Sequence, residues 1–416
     1  MKNTLSKACL ASAISAALFS TAAMAEKVEL DVAAFANYDQ VIRLVTPEFE
    51  KQYPDIKINL KSLAFADHHT ALTTSLSTGS NVPDVAAIEV GFIGRFSNAG
   101  GLEDLSKAPY NAGEFTEKFS PFTVPLGQNA KGEQAGLPVD IGPGAIFYRS
   151  DVLEKAGVTP EELLKDWDSF VETGKKIKAE TGGYLVANTK LVKDIVIRTG
   201  LKDGESIYFG PNNEILVESD RFKKAFEVAQ DVREAGLDAQ VALWSTEWNE
   251  GLRRGDIATQ MFGSWFVGHL RDFVSPDTTY WRTADLPEQT YASWGGTFLT
   301  IPKKAENKEA AWTFIKFLAD RVDTQVQALD FGTFPSLIEA QHAPLMDQPM
   351  AFLGGEQARV QWRNSASKIP AIKAHKHDPV AEQIIDDALE SVLNRGVSID
   401  KALADAAKLI KRRARR

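Results

Sequence analysis

Cysteine is nearly missing from this chain. The 416 residues include one, Cys9, so no disulfide can form within the chain and no thiolate metal site can be assembled. Basic charge is in deficit: 47 Lys and Arg stand against 56 Asp and Glu, a net charge of -9. A chain so balanced lacks the basic face that nucleic acid or an anionic membrane surface requires. No run after Ala25 is long and apolar enough to cross a bilayer. Signature loops are absent as well. There is no Gly-rich phosphate loop ending in Lys-Ser/Thr, no His-Glu-x-x-His and no Gly-x-Ser-x-Gly, which leaves out the familiar ATPase, zinc-protease and esterase chemistries. Histidine is scarce, at six. His68 and His69 are adjacent and point apart on a helix, and His375 and His377 have no Cys or placed carboxylate beside them. Hydrogen bonding is the expected role of both pairs, and no metal or cofactor is expected.

What is present begins with an address. Lys2 and Lys7 precede an apolar run from Leu10 to Ala23, and Ala23-Met24-Ala25 supplies small residues at the cleavage positions. This pattern predicts a Sec-type signal peptide over residues 1–25, cut before Glu26, and therefore export to a Gram-negative periplasm. Cys9 lies inside that signal, and Leu5-Ser6-Lys7-Ala8 before it is not the pattern of a lipoprotein site. The basic C-terminus, Lys411 to Arg416, reads as a solvated last helical turn.

The rest alternates strand and helix. Val28, Leu30 and Val32 alternate with polar residues. Helical spacing follows from Asp39 to Tyr53, with a kink expected at Pro47. Ile56, Ile58 and Leu60 form a second strand, Phe65 to Ser77 a second helix, and Val85 to Ile88 a third strand. That order predicts a parallel sheet with right-handed crossovers. A second unit repeats the logic: strands at Gly144 to Tyr148, Tyr184 to Ala187 and Ile257 to Phe262, and helices opened by Thr159-Pro160-Glu161-Glu162, by Asp168 as a cap, and by Asp220 and Ser264. A late strand, Thr297 to Ile301, precedes helices at Glu306 to Asp320, Asp378 to Asn394 and Ser398 onward. No flexible tether separates the units, so two lobes that share segments are expected.

Open α/β sheets bind ligands beyond the carboxyl ends of their strands. That rule selects Asn37-Tyr38-Asp39, His68-His69, Glu89, Asn188-Thr189-Lys190, Gly263-Ser264-Trp265 and Trp294-Gly295-Gly296. Amides, carboxylates and imidazoles pair with hydroxyls, and indole faces cover the C–H face of a sugar ring. Each choice has a packing alternative. Tyr38 either packs or binds, Glu89 either contacts ligand or caps a helix, and Trp362 either packs or lines the cleft. Trp312 and Trp167 read as packing residues, while Trp244, Trp248 and Trp281 are undecided.

Several stretches resemble, in order, the extracellular solute-binding proteins of family 1, the sugar-binding subunits of ABC importers related to maltose-binding protein. They are Pro47 to Pro54, Val82-Pro83-Asp84-Val85, Gly136-Leu137-Pro138-Val139 with Ile146-Phe147-Tyr148-Arg149, Met261 to Trp265, Trp294 to Pro302 with Lys308 to Trp312, and Phe331 to Ser336. The resemblance implies a two-lobed α/β fold of the type II periplasmic-binding-protein kind. Each lobe would be a mostly parallel sheet flanked by helices, with a hinge and an interlobe cleft. One lobe would comprise residues 26–135 and 288–336, the other 136–287 and 337–416. Hinge crossings are expected near Gly132 to Pro138, Asp285 to Tyr291 and Gly332 to Ser336. Carried over residue by residue, the cleft contacts are Asn37, Tyr38, His68 or His69, Glu89, Trp265 and Trp294 to Gly296, with Trp362 and His377 as additions. The implied function is capture of a mono- or oligosaccharide by lobe closure and delivery to a membrane permease, by a monomer that is not an enzyme. Ala374-His375-Lys376-His377 stands where maltose binders carry a stacking Trp, which argues against a linear maltodextrin and leaves room for a smaller or an acidic sugar. The alternative from another class is a secreted glycoside hydrolase with paired carboxylates such as Glu89 and Asp140.

Overall fold

The computed structural model describes residues 27–275 and 278–414. The expected signal peptide lies outside the described residues. The first unit is β1 (Val28–Phe35), α1 (Tyr38–Gln52), β2 (Ile56–Leu63), α2 (Phe65–Thr78), β3 (Val85–Glu89) and α3 (Val90–Asn98). β1 pairs in parallel with β2 along its whole length and with β3 on its other side. Leu30, Val32 and Ala34 of β1 are fully buried, as period-2 alternation requires. Helix α1 runs through Pro47 without ending there.

The remaining strands are β4 (Leu137–Arg149), β5 (Thr259–Gly263), β6 (Trp281–Ala284), β7 (Ser293–Thr300) and β8 (Phe334–Pro335). The sheet order is β2-β1-β3-β7-β4-β5, with β6 and β8 also on β4. β7 is antiparallel to both β3 and β4, so the sheet is mixed. Around β4 the second unit is antiparallel, through β5 and β6. The expected strand at Tyr184 to Ala187 is reduced to single parallel bridges, Tyr184 to Ile257 and Val186 to Asp238. The expected helix from Ser264 to Phe273 is a short α turn, Phe266–His269, that widens into a π turn, Leu270–Val274. The cap of the helix Trp167–Thr181 is Asp166, not Asp168: its carboxylate accepts the Ser169 N–H at 2.6 Å.

All thirteen residues of β4 are buried. Its first half, Leu137 to Pro143, pairs with β7, and Gly144 to Tyr148 pairs with β5. The register slips twice before the changeover, between Pro138 and Asp140 and between Ile141 and Pro143. One strand thus serves two lobes, and the changeover is at Pro143-Gly144. Each lobe has its own apolar core. Phe49, Phe314 and Phe317 meet edge-on in the first, and Leu163, Phe170, Phe222 and Phe226 are sealed in the second. A third cluster runs unbroken from Leu72 and Ile93 through Ile141 to Phe262 and Trp248, so the lobes share packing at the crossing.

Two of the resembling stretches have clear structural causes. The Asp84 carboxylate accepts the N–H groups of Asp31 at 3.1 Å, Glu306 at 3.0 Å and Asn307 at 2.8 Å. It thereby pins β1 to the start of the helix Lys308–Ala319. Ser336 Oγ donates to the Pro138 carbonyl at 2.9 Å, which ties the short β8 segment to β4.

Candidate functional site

The carbonyl of Trp294 is the focus of the crossing. The Trp265 indole Nε1 donates to it at 2.7 Å. Added Cβ atoms at Gly142 and Gly263 would come within 2.0 and 2.2 Å of the same oxygen. Only glycine lets three segments converge there. Gly295 has φ +89, and a Cβ on it would lie 2.6 Å from Trp265 Nε1. Gly296 has φ +124 and faces the Asp140 carbonyl. The close approach that Gly295 and Gly296 permit is taken up by an indole and a strand.

Around that focus stand aromatic faces. Trp265 is half-buried, with Phe262 at 5.4 Å. Phe262 meets Trp294 edge-on at 5.3 Å. The Arg198 guanidinium lies 4.8 Å from the centre of the Trp294 ring, close enough for a cation–π contact. Trp244 sits 6.0 Å from Trp265 with planes 21° apart.

Polar atoms complete the set. Asp140 Oδ1, Arg198 Nε, Ser264 Oγ, Ser293 Oγ and His377 Nε2 are buried and have no hydrogen-bond partner among the described residues. Buried polar groups are normally paired, so each of these atoms has unused hydrogen-bonding capacity. Glu89 caps α3, its Oε2 accepting the Gly91 N–H at 2.7 Å. Desolvation lifts its pKa to about 7, against the pull of the Gly91 N–H and Arg198, and the nearby carboxylates Glu382 and Asp140 add to the rise. Desolvation likewise raises Asp140 to about 6 against hydrogen bonds from Thr297. Burial also raises Glu382, with Asp194 adding to it and Arg198 opposing.

His68 and His69 are each 2% exposed and brace the backbone. His68 Nε2 lies 2.7 Å from the Ala87 carbonyl. His69 Nδ1 lies 2.8 Å from the Phe65 carbonyl, and its Nε2 accepts the Glu89 N–H at 3.2 Å. A carbonyl can only accept, so His69 is the neutral tautomer protonated on Nδ1. Both imidazoles are therefore committed to holding the loop that carries Glu89. Tyr38 is buried too. Its hydroxyl and Asp140 Oδ1 have no partners among the described residues, and both residues line a cavity of about 10 Å³, the lower limit for one water. Asn37, before α1, is held at φ 82, an unusual conformation for a non-glycine residue. Trp362 is 3% exposed. Its Nε1 donates to Thr283 Oγ1 at 3.3 Å and its ring contacts Phe147 and Phe334, so it packs beneath β4. His377 precedes the helix Asp378–Arg395 and lies 5.5 Å from His375.

The structure thus groups Glu89, Trp265, Trp294 and the two glycines near the crossing and turns His68, His69, Tyr38 and Trp362 inward. Motif reading passed over Arg198 and Glu382 and left Trp244 undecided. Arg198 and Glu382 sit within helices that carry no signature. Trp244 directly precedes Ser245, whose hydroxyl caps the helix Thr246–Arg254, and that cap was its one local signal.

The two lobes also touch. A Cβ on Gly94 of α3 would lie 2.9 Å from the carbonyl carbon and Cβ of Ala374 and 3.0 Å from the His375 N–H. The segment that leads into the helix Asp378–Arg395 therefore lies against α3 nearly backbone to backbone.

Comparison with known proteins agrees with this architecture. A lactose-binding protein of Rhizobium radiobacter is 27% identical over 427 aligned positions, which cover 97% of this chain and 96% of the relative. An arabinooligosaccharide-binding protein of Bacillus subtilis (strain 168) is 25% identical over 296 positions, 67% of this chain and 66% of the relative. The crystal structure of an extracellular solute-binding protein of family 1 superposes with a TM-score of 0.78 at 24% identity, covering 92% of this chain and 99% of that one. A binding protein from B. animalis subsp. lactis Bl-04, solved with β-1,6-galactobiose, gives 0.75 at 24% identity, covering 92% and 96%. The family described as bacterial extracellular solute-binding protein matches residues 45–352, and this chain belongs to it.

Proposed function

We propose that this protein captures a neutral saccharide between its two lobes in the bacterial periplasm and delivers it to the permease of an ABC importer, without cleaving it. The observation that carries the reading is the half-buried Trp265 indole, fixed by its own N–H to the strand crossing at the Trp294 carbonyl, with the Arg198 guanidinium over the neighbouring Trp294 ring. An apolar ring face beside convergent hydrogen-bonding groups is the recognition chemistry of a polyhydroxylated ring. The relatives named for lactose and for arabinooligosaccharides support the same class.

Charge narrows the class. Glu89, Asp140 and Glu382 bring three carboxyls to the region of one guanidinium, Arg198. A uronic acid would add another carboxylate to a desolvated, acid-rich site, where like charges repel. Neutral sugars carry no such cost. Closure follows as a population shift, because a ligand that touches both lobes only when they are shut stabilises that state by its differential affinity.

The test is calorimetric titration of the purified protein with neutral mono- and disaccharides and with uronic acids. Saturable heat with a neutral sugar and no product on chromatography is expected. Trp265→Ala should remove detectable binding while the circular dichroism spectrum stays unchanged. Release of reducing ends, or unchanged affinity in the variant, contradicts the proposal.

A further inference from the structure

We propose that Trp244 is a second sugar-binding platform beside Trp265, and that the ligand therefore spans at least two rings. The inference rests on the saccharide reading and deepens it. Trp244 is 52% exposed although it stands in an aromatic cluster with Trp248, Phe262, Trp265, Phe266 and His269. Its ring centre is 5.0 Å from Trp248, 5.1 Å from His269 and 5.6 Å from Phe262. Its plane lies within 20° of Phe262 and 21° of Trp265. The two indoles are near-parallel with ring centres 6.0 Å apart, so both offer ring-sized faces in one region.

The backbone holds it there deliberately. Trp244 has φ +67, a left-handed conformation that is strained for a bulky residue and persists where the surroundings enforce it. The surroundings are identifiable. The Val241 N–H donates to the Ala187 carbonyl, Asn188 Nδ2 donates to the Val241 carbonyl at 3.1 Å, and Ser245 caps the helix that follows. This places Trp244 on the loop beside the end of the short Leu185-Val186-Ala187 segment, the edge where open α/β sheets take their ligands. An indole that only packed would gain by turning its free face inward. This one spends strain to keep that face in solvent, next to the residue that anchors the crossing.

The test compares Trp244→Ala and Trp244→Phe with the wild type, using lactose, β-1,6-galactobiose and maltose paired with galactose and glucose. Each is followed by calorimetry and by tryptophan fluorescence. Stacking on one aromatic ring is worth roughly a tenfold change in affinity. Trp244→Ala should lose about that much for whichever disaccharide the wild type binds and less than about twofold for a monosaccharide, with Trp244→Phe in between. Melting curves of both ligand-free variants should match the wild type, and the fluorescence change on binding should shrink in both. Equal loss for one ring and two, no loss at all, or a wild type that binds monosaccharides only would overturn the platform while leaving the saccharide reading intact. A wild type that binds none of the five sugars would overturn both.

Discussion

At the scale of single residues, His69 shows how an expected ligand contact becomes a structural one. Its two ring nitrogens are used by the Phe65 carbonyl and the Glu89 N–H, and the second bond exists only while Nε2 is unprotonated. Burial lowers its pKa to about 4, the Phe65 carbonyl opposes the shift, and neighbouring His68 adds to it. The sign of the consequence follows. Below the ordinary histidine pKa of 6.5 the unfolded chain takes up a proton that the folded chain refuses, so stability is lost as pH falls from about 6.5 towards 4. The His69 imidazole should titrate near pH 4 by NMR. His69→Gln should melt with a shallower pH dependence between pH 6.5 and 5 than the wild type. A midpoint near 6.5 would mean that the bond to Glu89 is not formed. Adjacent imidazoles at the end of a strand can be spotted in a sequence. That both are used by the backbone of the next strand depends on the parallel register of β1 with β3, which no local pattern encodes.

At the scale of elements, strands and helices were legible wherever one face is buried and the other is not. The alternation in β1 and β2 and the apolar faces of α1 and the helix Asp220–Glu234 fall where periodicity puts them. Legibility fails where an element is buried all round. β4 reads as a short strand from Gly144, yet it runs from Leu137 through two prolines and two glycines, because its partners change halfway and the register slips fall beside the prolines. β5 was legible as a strand at Ile257 to Phe262, but its antiparallel pairing and the whole of β6 were beyond reach, since pairing direction is set by contacts distant in sequence. A second case is Gly94, an unremarkable helix glycine until α3 is seen against Ala374. Any side chain there must displace backbone, and overpacking of this kind costs about 1–3 kcal/mol. On the reading that this contact belongs to the shut form, the cost falls on closure. Gly94→Val should weaken sugar binding by roughly tenfold or more, since about 1.4 kcal/mol is one decade, while ligand-free melting stays near that of the wild type. Affinity equal to the wild type would show that α3 and the 374–378 segment need not meet for binding.

At the scale of the whole molecule, the acidic groups lead to the prediction that closure is coupled to protons. Glu89 belongs to the first lobe, while Arg198 and Glu382, which face it, belong to helices of the second. In this arrangement of the lobes the Glu89 carboxyl is desolvated and the Glu382 carboxylate lies near it, with Arg198 offsetting part of the cost, and on the closure reading this environment is assembled as the lobes shut. A carboxyl raised from its usual value near 4.5 to about 7 favours the shut form when protonated. That contribution is fully present below about pH 4.5 and is lost as pH rises through about 7. Between those limits closure should draw a proton from solution. Titrating a neutral sugar at pH 6 in two buffers of different ionisation enthalpy measures that uptake directly. The wild type should take up a sizeable fraction of one proton per sugar bound, and the uptake should fade by about pH 8. Glu89→Gln carries no titrating carboxyl and should abolish most of it. In the same samples, solution scattering should show the radius of gyration shrinking as sugar is added. Proton uptake without compaction would place the desolvation of Glu89 in ligand contact alone. Compaction with no proton exchanged would show that Glu89 keeps its water when the lobes shut.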